Sequence, residues 1–328
     1  MSKKKKGLGL PGWLGLLVIL VIGGYSGYWF WMSGEIRKGA LDWIEDQRKA
    51  GVDITYDNME ISGFPYRFEL KLEAPVAVSS ADGWRLESER VQLAAQSYNL
   101  YHVIAQMPGK SDITLADGRQ FSLVPAEKSA LSVRYDSETV RDLRIELPSL
   151  TIAENNMRVL ELNNLMFGIR PMPDAPTSGQ LAFSIDDFTL ERAPDDLIWL
   201  GPDGEELVIW IEIENLYPLL TEDLSFTEWR IDENQIHLRR GEVNWGPLDL
   251  AARASIELSR DNQPNGTIGI HLENVDALRE HLEAAGRLDQ ETNQLIGTIG
   301  LMSRNNNFAT VELRDRGIYL LGNKLGEY

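Results

Sequence analysis

The sequence predicts a mainly β (α+β) fold, with an N-terminal transmembrane helix and stalk, then a large, mostly antiparallel β-structure with a C-terminal helix or two. Four lysines precede an uncharged run from Gly7 to Ser33, and about 20 apolar residues suffice to cross the hydrocarbon core of a bilayer. From Val52 onward, short stretches alternate apolar and polar residues between clusters of glycine, proline, aspartate and asparagine. That alternation is typical of strands with one buried face.

The N-terminal segment divides into a cytoplasmic basic tail, residues 1–12, and a transmembrane helix, residues 13–32. The lysines favour a cytoplasmic N-terminus, so the bulk of the chain is expected to be exported. An exported eukaryotic chain of this length would usually carry disulfides, whereas this one has no cysteine. We therefore predict a single-pass protein of the bacterial inner membrane with its bulk in the periplasm. The alternative is a secretory signal cut near Tyr25–Ser26–Gly27. Such signals have shorter apolar regions and small residues at the cleavage site. Here bulky aromatic residues follow at 28–31, so we predict a retained anchor.

A stalk helix, residues 33–51, is expected to follow the anchor. Ser33 is a candidate N-cap, Gly51 a candidate stop, and Ile36, Ala40 and Ile44 fall on one face. The remaining chain is predicted to form two β-rich regions, residues 52–170 and 177–328. Between them, three prolines in residues 171–176 are expected to interrupt any ladder. The exported part is either one elongated domain or two.

The alternation is clearest from residue 64 to residue 73, where the apolar residues fall on one face of a predicted strand. This face is our candidate apolar, ligand-facing strand, with Phe64, Tyr66, Phe68, Leu70 and Leu72. The same period recurs in five later stretches, at 143–147, 181–185, 207–213, 268–272 and 311–313.

Helical signals are confined to the C-terminal part of the exported region. Residues 275–285 are predicted to form a helix, capped by Asn274 and ended by Gly286, and 288–296 is a candidate second helical turn. The chain is expected to close with a hairpin over 311–320 that turns at Asp315–Arg316–Gly317.

Composition excludes several classes of function. The chain has no cysteine, which excludes disulfides, thiolate metal sites and a cysteine nucleophile. Residues 1–33 contain four lysines and no acid, so the rest carries 28 basic and 50 acidic residues, a net charge of −22. Such a surface repels nucleic acid and anionic headgroups. We therefore predict no nucleic-acid partner, and no membrane contact outside the helix unless divalent ions bridge it.

No residue set indicates a reaction. The four histidines lack the spacing of a zinc-binding helix, and the nucleophile and phosphate-loop motifs of common enzymes are missing from the sequence. We predict a protein that is not an enzyme, with no catalytic residues, no metal site and no cofactor. A glycosidase needs only two well-placed carboxylates, so an unrecognised hydrolase stays an alternative.

The segment from Tyr56 to Arg67 resembles an uncharacterised bacterial family called domain of unknown function twenty-one twenty-five. Members show a lone membrane helix ending in aromatic residues, as at 28–31, then a Ser-Gly-Phe-Pro-aromatic-Arg strand and a later Trp-Gly-Pro segment like Trp245–Gly246–Pro247. The family has no established activity, so the resemblance implies no catalytic residue. The C-terminal strand–strand–helix block is also remotely similar to AsmA-like envelope proteins, which are associated with phospholipid handling.

The residues of this motif also predict a local structure. Gly63 and Pro65 favour a tight motif turn, formed by Ser62, Gly63, Phe64, Pro65 and Arg67, with Phe64 in the core. For function, the leading hypothesis is a non-enzymatic envelope protein whose apolar sheet face binds or guides lipid in envelope maintenance. The alternative is a structural or assembly factor that binds a protein partner in the envelope, with that face fully covered.

Overall fold

The computed structural model describes residues 10–136, 139–221, 223–232, 234–259, 261 and 263–328. Its first element is one uninterrupted helix, α1, Leu10–Lys49. The stalk continues this helix without a break, as expected. Ser33 is not the predicted N-cap, because it lies inside α1 and its hydroxyl donates a hydrogen bond to the Trp29 carbonyl oxygen (2.9 Å). α1 is long and apolar enough to cross a membrane. The lysines of the predicted basic tail lie outside the described residues.

Fourteen strands follow before the next helical segment. They are β1 Val52–Thr55, β2 Asn58–Ser62, β3 Arg67–Glu73, β4 Val76–Ser79, β5 Trp84–Ser88, β6 Arg90–Gln96, β7 Asn99–Gln106, β8 Ser111–Thr114, β9 Gln120–Pro125, β10 Ala130–Asp136, β11 Thr139–Glu154, β12 Met157–Met172, β13 Ala175–Ile185 and β14 Asp187–Leu190.

Helices interrupt the second part of the chain. A short 3₁₀ turn, Ile198–Leu200, precedes β15 Asp203–Ile213, α2 Leu216–Leu220, α3 Phe226–Ile231, β16 Gln235–Trp245, β17 Leu248–Leu258, β18 Pro264–Leu272, α4 Val275–Ala284, α5 Gln290–Met302, a 3₁₀ turn Arg304–Asn306, β19 Ala309–Arg314, β20 Gly317–Leu320 and β21 Asn323–Glu327.

The strands form one antiparallel sheet with a simple meander. Consecutive short strands such as β1 and β2 are halves of one long strand, because β2 pairs with β3 and β1 with β4 in the same register. Each long strand lies beside the next one in the chain, from β1–β2 to β21. The long connection through α4 and α5 also returns to a neighbouring strand, since β18 pairs with β19. The predicted fold class is confirmed.

The predicted proline-rich interruption at 171–176 is a hairpin. Pro171 pairs with Gly179, and Met172 with Ala175, so the ladder continues from β12 into β13 across an irregular register. The ladder survives because Pro171 and Pro176 stand at the ends of strands, where a missing N–H costs little. The boundary between the two predicted β-rich regions stays a prediction.

The C-terminal predictions are close to the structure. α4 ends at Ala284, and α5 is longer than the predicted second helical turn. Asn274 occupies the N-cap position of α4, but its side chain makes no capping hydrogen bond there. The closing hairpin turns at Asp315 and Arg316, both with positive φ, and β21 adds a strand after it.

The chain exposes far more surface than a compact protein of its size. Its accessible surface is 20683 Å², whereas the usual scaling gives about 13,600 Å² for a compact chain of this mass. The free part of α1 supplies some of the excess, because every described side chain from Trp13 to Gly24 is exposed. The rest reflects a sheet that is only partly covered.

Candidate functional site

A line of irregular backbone crosses the sheet where the long strands divide. Ala74, Gly109 and Asn164 lie on this line with φ angles of 46°, 89° and 52°. Hydrogen bonds still join neighbouring strands there, since the Ala74 N–H donates to the Glu89 carbonyl oxygen (2.9 Å) and the Glu89 N–H to that of Lys110 (3.0 Å). Because a left-handed residue interrupts the regular pleat of an extended strand, the alternation of side chains between the two faces changes along this line.

This change keeps the apolar side chains of both halves of a long strand on one side of the sheet. In β1 the inward residues have even numbers, as with Ile54, whereas in β2 they have odd numbers, as with Met59. Both nevertheless pack in one cluster with Ile44 of α1 and Leu70 of β3. The two halves of each long strand therefore contribute to a single surface, which we call the apolar face.

The register shows that the apolar face runs unbroken across the sheet. Directly opposite residues of an antiparallel pair project to the same side. One row of opposite residues, from β2 to β19, contains no polar side chain: Ile61, Leu70, Leu93, Ala105, Leu131, Ile145, Phe167, Phe183, Ile209, Gly241, Ala252, Ile270 and Ala309.

A second row beside it has the same character. It runs from Phe68 through Val133, Leu143 and Leu181 to Leu320, and every residue in it is apolar. Adjacent strands lie about 4.8 Å apart, so a row over thirteen strands is about 58 Å long. The apolar face is therefore longer than an extended acyl chain.

Helices cover both ends of the apolar face. At the end near the anchor, α1 lies on it, with Trp29 stacked on Phe68 (5.2 Å between ring centroids) and Ile44 packed among β1, β2 and β3. At the far end, α4 and α5 bury Leu278 and Ile296 against β18, β19 and β20.

The middle of the apolar face has no such cover. In the first row Leu70 is 7% exposed beneath α1, whereas its neighbour Leu93 is 36% exposed. Among the described residues between 71 and 161, no hydrophobic side chain is fully buried. A covered sheet core of this length would contain many such residues. We call the uncovered part, β6 to β12, the open stretch.

α2 borders the open stretch on one side. Tyr217 and Leu220 line a hollow together with Leu143 and Ile169 of the apolar face. Burial, with a smaller contribution from Asp142, raises the pKa of Tyr217 to about 12. The Tyr217 hydroxyl is therefore protonated at neutral pH, and it donates a hydrogen bond to a backbone carbonyl oxygen of β11, that of Arg141.

The residues predicted to face a ligand lie beside the open stretch. Phe68 and Leu70 belong to β3 and are almost completely covered by α1, and Leu72 borders the same cluster. Phe64 and Tyr66 precede β3, which begins at Arg67, so they belong to a turn. Sequence inspection missed Leu93, Leu131 and the other open residues, although the period-2 signal of their strands could have indicated them.

The predicted motif turn joins β2 to β3, as expected, but Phe64 is not in the core. Gly63 has a φ of 98°, and a Cβ atom there would lie 2.7 Å from Arg67 Cγ. Both facts explain why this position is a glycine. Phe64 is 47% exposed. It stacks on Phe30 and meets Trp29 edge-on, both in α1. The turn therefore holds the anchor helix.

Polar contacts strengthen this junction. The Trp29 indole N–H donates to the Arg67 carbonyl oxygen (3.1 Å), and the Tyr28 hydroxyl to that of Ser97 (3.1 Å). The Tyr25 hydroxyl donates to the Pro65 carbonyl oxygen and shares a 2.7 Å hydrogen bond with the Ser97 hydroxyl. The aromatic residues that follow the apolar run of α1 are thus also the residues that bond to the sheet.

In the described part of the chain, one small group of titratable side chains lies together, because Asp249 is beside Glu273 and His271 contacts Glu273 (3.3 Å). No group of three or more histidine, aspartate or glutamate side chains is placed there to hold a metal ion. His271 and His281 bond to backbone carbonyl oxygens, those of Asn307 and Ala277, rather than to each other. The pKa of Asp249 is raised by its burial and by the neighbouring Glu273 carboxylate.

One family comparison covers nearly the whole chain. The model of the family described as "Uncharacterized protein conserved in bacteria (DUF2125)" matches residues 29–327. The chain belongs to this family. The match starts at Trp29, the residue of α1 that is buried against the sheet. It therefore includes the junction between α1 and the sheet, the open stretch and the C-terminal helices. No curated protein and no solved structure matches the chain significantly. The remote likeness to AsmA-like proteins stays a prediction.

The Trp-Gly-Pro segment of the family resemblance forms a second junction. The Trp245 indole N–H donates to the Gly201 carbonyl oxygen (2.9 Å), and its ring meets Phe188 edge-on. Gly246 has a φ of 55°, and a Cβ atom there would lie 1.9 Å from the Leu200 carbonyl oxygen. The segment therefore packs the 3₁₀ turn before β15 against the β16–β17 hairpin.

Gly246→Ala is expected to lower the free energy of unfolding by about 2–5 kcal/mol. A left-handed backbone costs alanine about 1–2 kcal/mol, and the contact with Leu200 adds about 1–3 kcal/mol of overpacking. Gly286→Ala is the control, because Gly286 also has a positive φ of 68° but has open space around it. Urea unfolding followed by tryptophan fluorescence gives both values; equal losses would contradict the contact.

Proposed function

We propose that the open stretch of the apolar face binds the acyl chains of lipid, or another hydrophobic molecule, beside the membrane that anchors the protein. The protein acts in this role as a non-enzymatic binding or guiding factor in the periplasm of a bacterial envelope. The single observation that carries the proposal is the open stretch itself. Its apolar rows continue through five long strands without a covering element, whereas both ends are covered.

Physical chemistry favours a hydrophobic occupant. Apolar surface left in water costs about 25 cal/mol per Å², and single soluble chains rarely expose contiguous apolar patches of more than a few hundred Å². The rows are narrow, long and uncharged, which matches an extended hydrocarbon chain. The helix α1 supports a lipid source, because it is long and apolar enough to place the near end of the face beside a bilayer.

Photo-crosslinking within full-length protein in bacterial membranes tests the proposal. Phe167→benzoylphenylalanine places a photoreactive ring on the apolar face, and Met166→benzoylphenylalanine places it on the opposite side of the same strand, where Met166 is 48% exposed. Intact-protein mass spectrometry after illumination is expected to show lipid adducts at least about tenfold more abundant at 167, because only that position contacts the bound chain.

Three outcomes would count against this proposal. Equal adducts at 166 and 167 would mean general contact with membrane lipid, and no adduct at 167 would mean an empty face. A protein adduct of one discrete mass at 167 would support the alternative, an assembly factor whose partner covers the face. Circular dichroism of both variants checks that the sheet is formed.

A further inference from the structure

Two turns of the sheet lie at the level where α1 leaves the bilayer. The uncharged run of the sequence begins at Gly7, and about 20 residues of helix cross the hydrocarbon core of a bilayer. A span counted along the sequence from there ends near Tyr25, which places Tyr25 at the outer boundary of the core. The Tyr25 hydroxyl bonds to Pro65 in the β2–β3 turn and to Ser97 in the β6–β7 turn. Helical side chains tilt toward the N-terminus, so both turns reach that boundary.

The tips of these turns carry exposed aromatic side chains. Tyr66 is 77% exposed and Tyr98 is 79% exposed, next to the two residues that Tyr25 contacts. Phe64 is 47% exposed, and Phe30 on the adjacent helix surface is 66% exposed. We call Phe30, Phe64, Tyr66 and Tyr98 the aromatic tip. Tyrosine and tryptophan favour the headgroup level of a membrane, where their rings are apolar on one side and hydrated on the other.

We propose that the aromatic tip inserts into the headgroup region of the same bilayer that α1 crosses, and forms a second membrane contact of the exported part. The helix and the two turns then hold the sheet at a fixed height and orientation above the membrane. This contact is independent of lipid binding by the open stretch.

The local charge agrees with a membrane rather than an acidic protein surface. The whole chain has 50 acidic residues, but the segments 61–66 and 91–109 contain no charged residue. The expectation that a strongly acidic exported part avoids the membrane therefore does not apply to these turns. The first charged residue after the first turn is Arg67, whose side chain is 60% exposed and pairs with Glu69 (2.7 Å).

Site-directed spin labelling tests the depth of the tip. Because the chain lacks cysteine, Tyr66→Cys and Tyr98→Cys each accept one nitroxide in the full-length protein. Vesicles of phosphatidylethanolamine and phosphatidylglycerol supply the bilayer. Met157→Cys is the control, since Met157 is 60% exposed at the opposite end of the long strands. The accessibilities of each nitroxide to oxygen and to a water-soluble nickel chelate are compared.

Labels at 66 and 98 are expected to favour oxygen over the nickel chelate by about tenfold relative to 157. Chelate accessibility at 66 and 98 equal to that at 157 would overturn the proposal, because it would place the turns in water. Labels immobilised and shielded from both reagents would also overturn it, because they would indicate a protein partner on the tip. Since all three positions are exposed, labelling leaves the packed core unchanged.

Discussion

Trp29→Ala is expected to release the sheet from the anchor helix and to cost about 3–5 kcal/mol at the junction. The side chain is 4% exposed, stacks on Phe68 and donates its indole N–H to the Arg67 carbonyl oxygen. Alanine leaves a cavity beneath Phe64 and Phe68 and an unpaired carbonyl oxygen. Hydrogen exchange on full-length protein in lipid nanodiscs measures the effect, with protection expected to fall by about 100-fold or more in β3 and in the turn before it.

Trp31→Ala is the matched control for this change. It removes the same side chain two residues later on the same helix, but Trp31 is 60% exposed and makes no contact with the sheet that the structure describes. It is expected to leave protection in β3 unchanged. Trp29→Phe keeps a stacked ring without the N–H donor and should cost only about 1–2 kcal/mol. Equal hydrogen-exchange protection of β3 in the Trp29→Ala and Trp31→Ala variants would contradict a stabilising role of the junction.

The junction gives the helix α1 a structural role in addition to its predicted role as a membrane anchor. The signal-peptide alternative places a cut at Tyr25–Ser26–Gly27, next to residues that bond to Pro65 and Ser97. A cut there would leave Trp29 within the first helical turn of the product, where helices fray. The same helix covers Phe68 and Leu70 at the near end of the apolar face. A retained helix therefore also covers the near end of the sheet; the retained membrane anchor itself stays a prediction.

Local signals in the sequence were sufficient for the fold class. Strands such as β3 and β11 alternate apolar and polar residues over at least five positions, and this pattern depends only on neighbouring residues and one buried face. The helix α4 is equally local, because Leu278 and Leu282 define its buried side and Gly286 ends it. Such elements can be predicted without knowing which strand or helix packs against them.

Long-range packing hid the site from sequence analysis. At Ala74 and Asn164, which have positive φ, the inward positions change from even to odd numbers, and the alternation looks interrupted. The continuous rows appear only when the register of every pair is known. Phe64 was misplaced for the same reason, since its partners Trp29 and Phe30 lie far away in a segment whose apolar residues already had a membrane explanation.

Trp229→Ala is expected to lower the free energy of unfolding by about 3–5 kcal/mol. Trp229 lies in α3, within the α2–α3 connection, or crossing, between β15 and β16. Trp229 is 1% exposed, and its indole N–H donates to the Glu214 carbonyl oxygen (2.5 Å) at the end of β15. Its own carbonyl oxygen accepts from the buried Asn234 amide (2.8 Å). Removing the ring leaves a cavity and also frees the α2–α3 segment that borders the open stretch.

Trp210→Ala separates this effect from the general loss of a tryptophan. Trp210 lies on β15 as well but is 39% exposed on the side opposite the apolar face, so its loss should cost about 1 kcal/mol or less. Urea unfolding of the full-length protein, followed by far-ultraviolet circular dichroism, measures both variants. Because β15 pairs with β13, β14 and β16, an effect of Trp229→Ala confined to α2 and α3, with the sheet transition unchanged, would mean that the crossing does not stabilise the sheet.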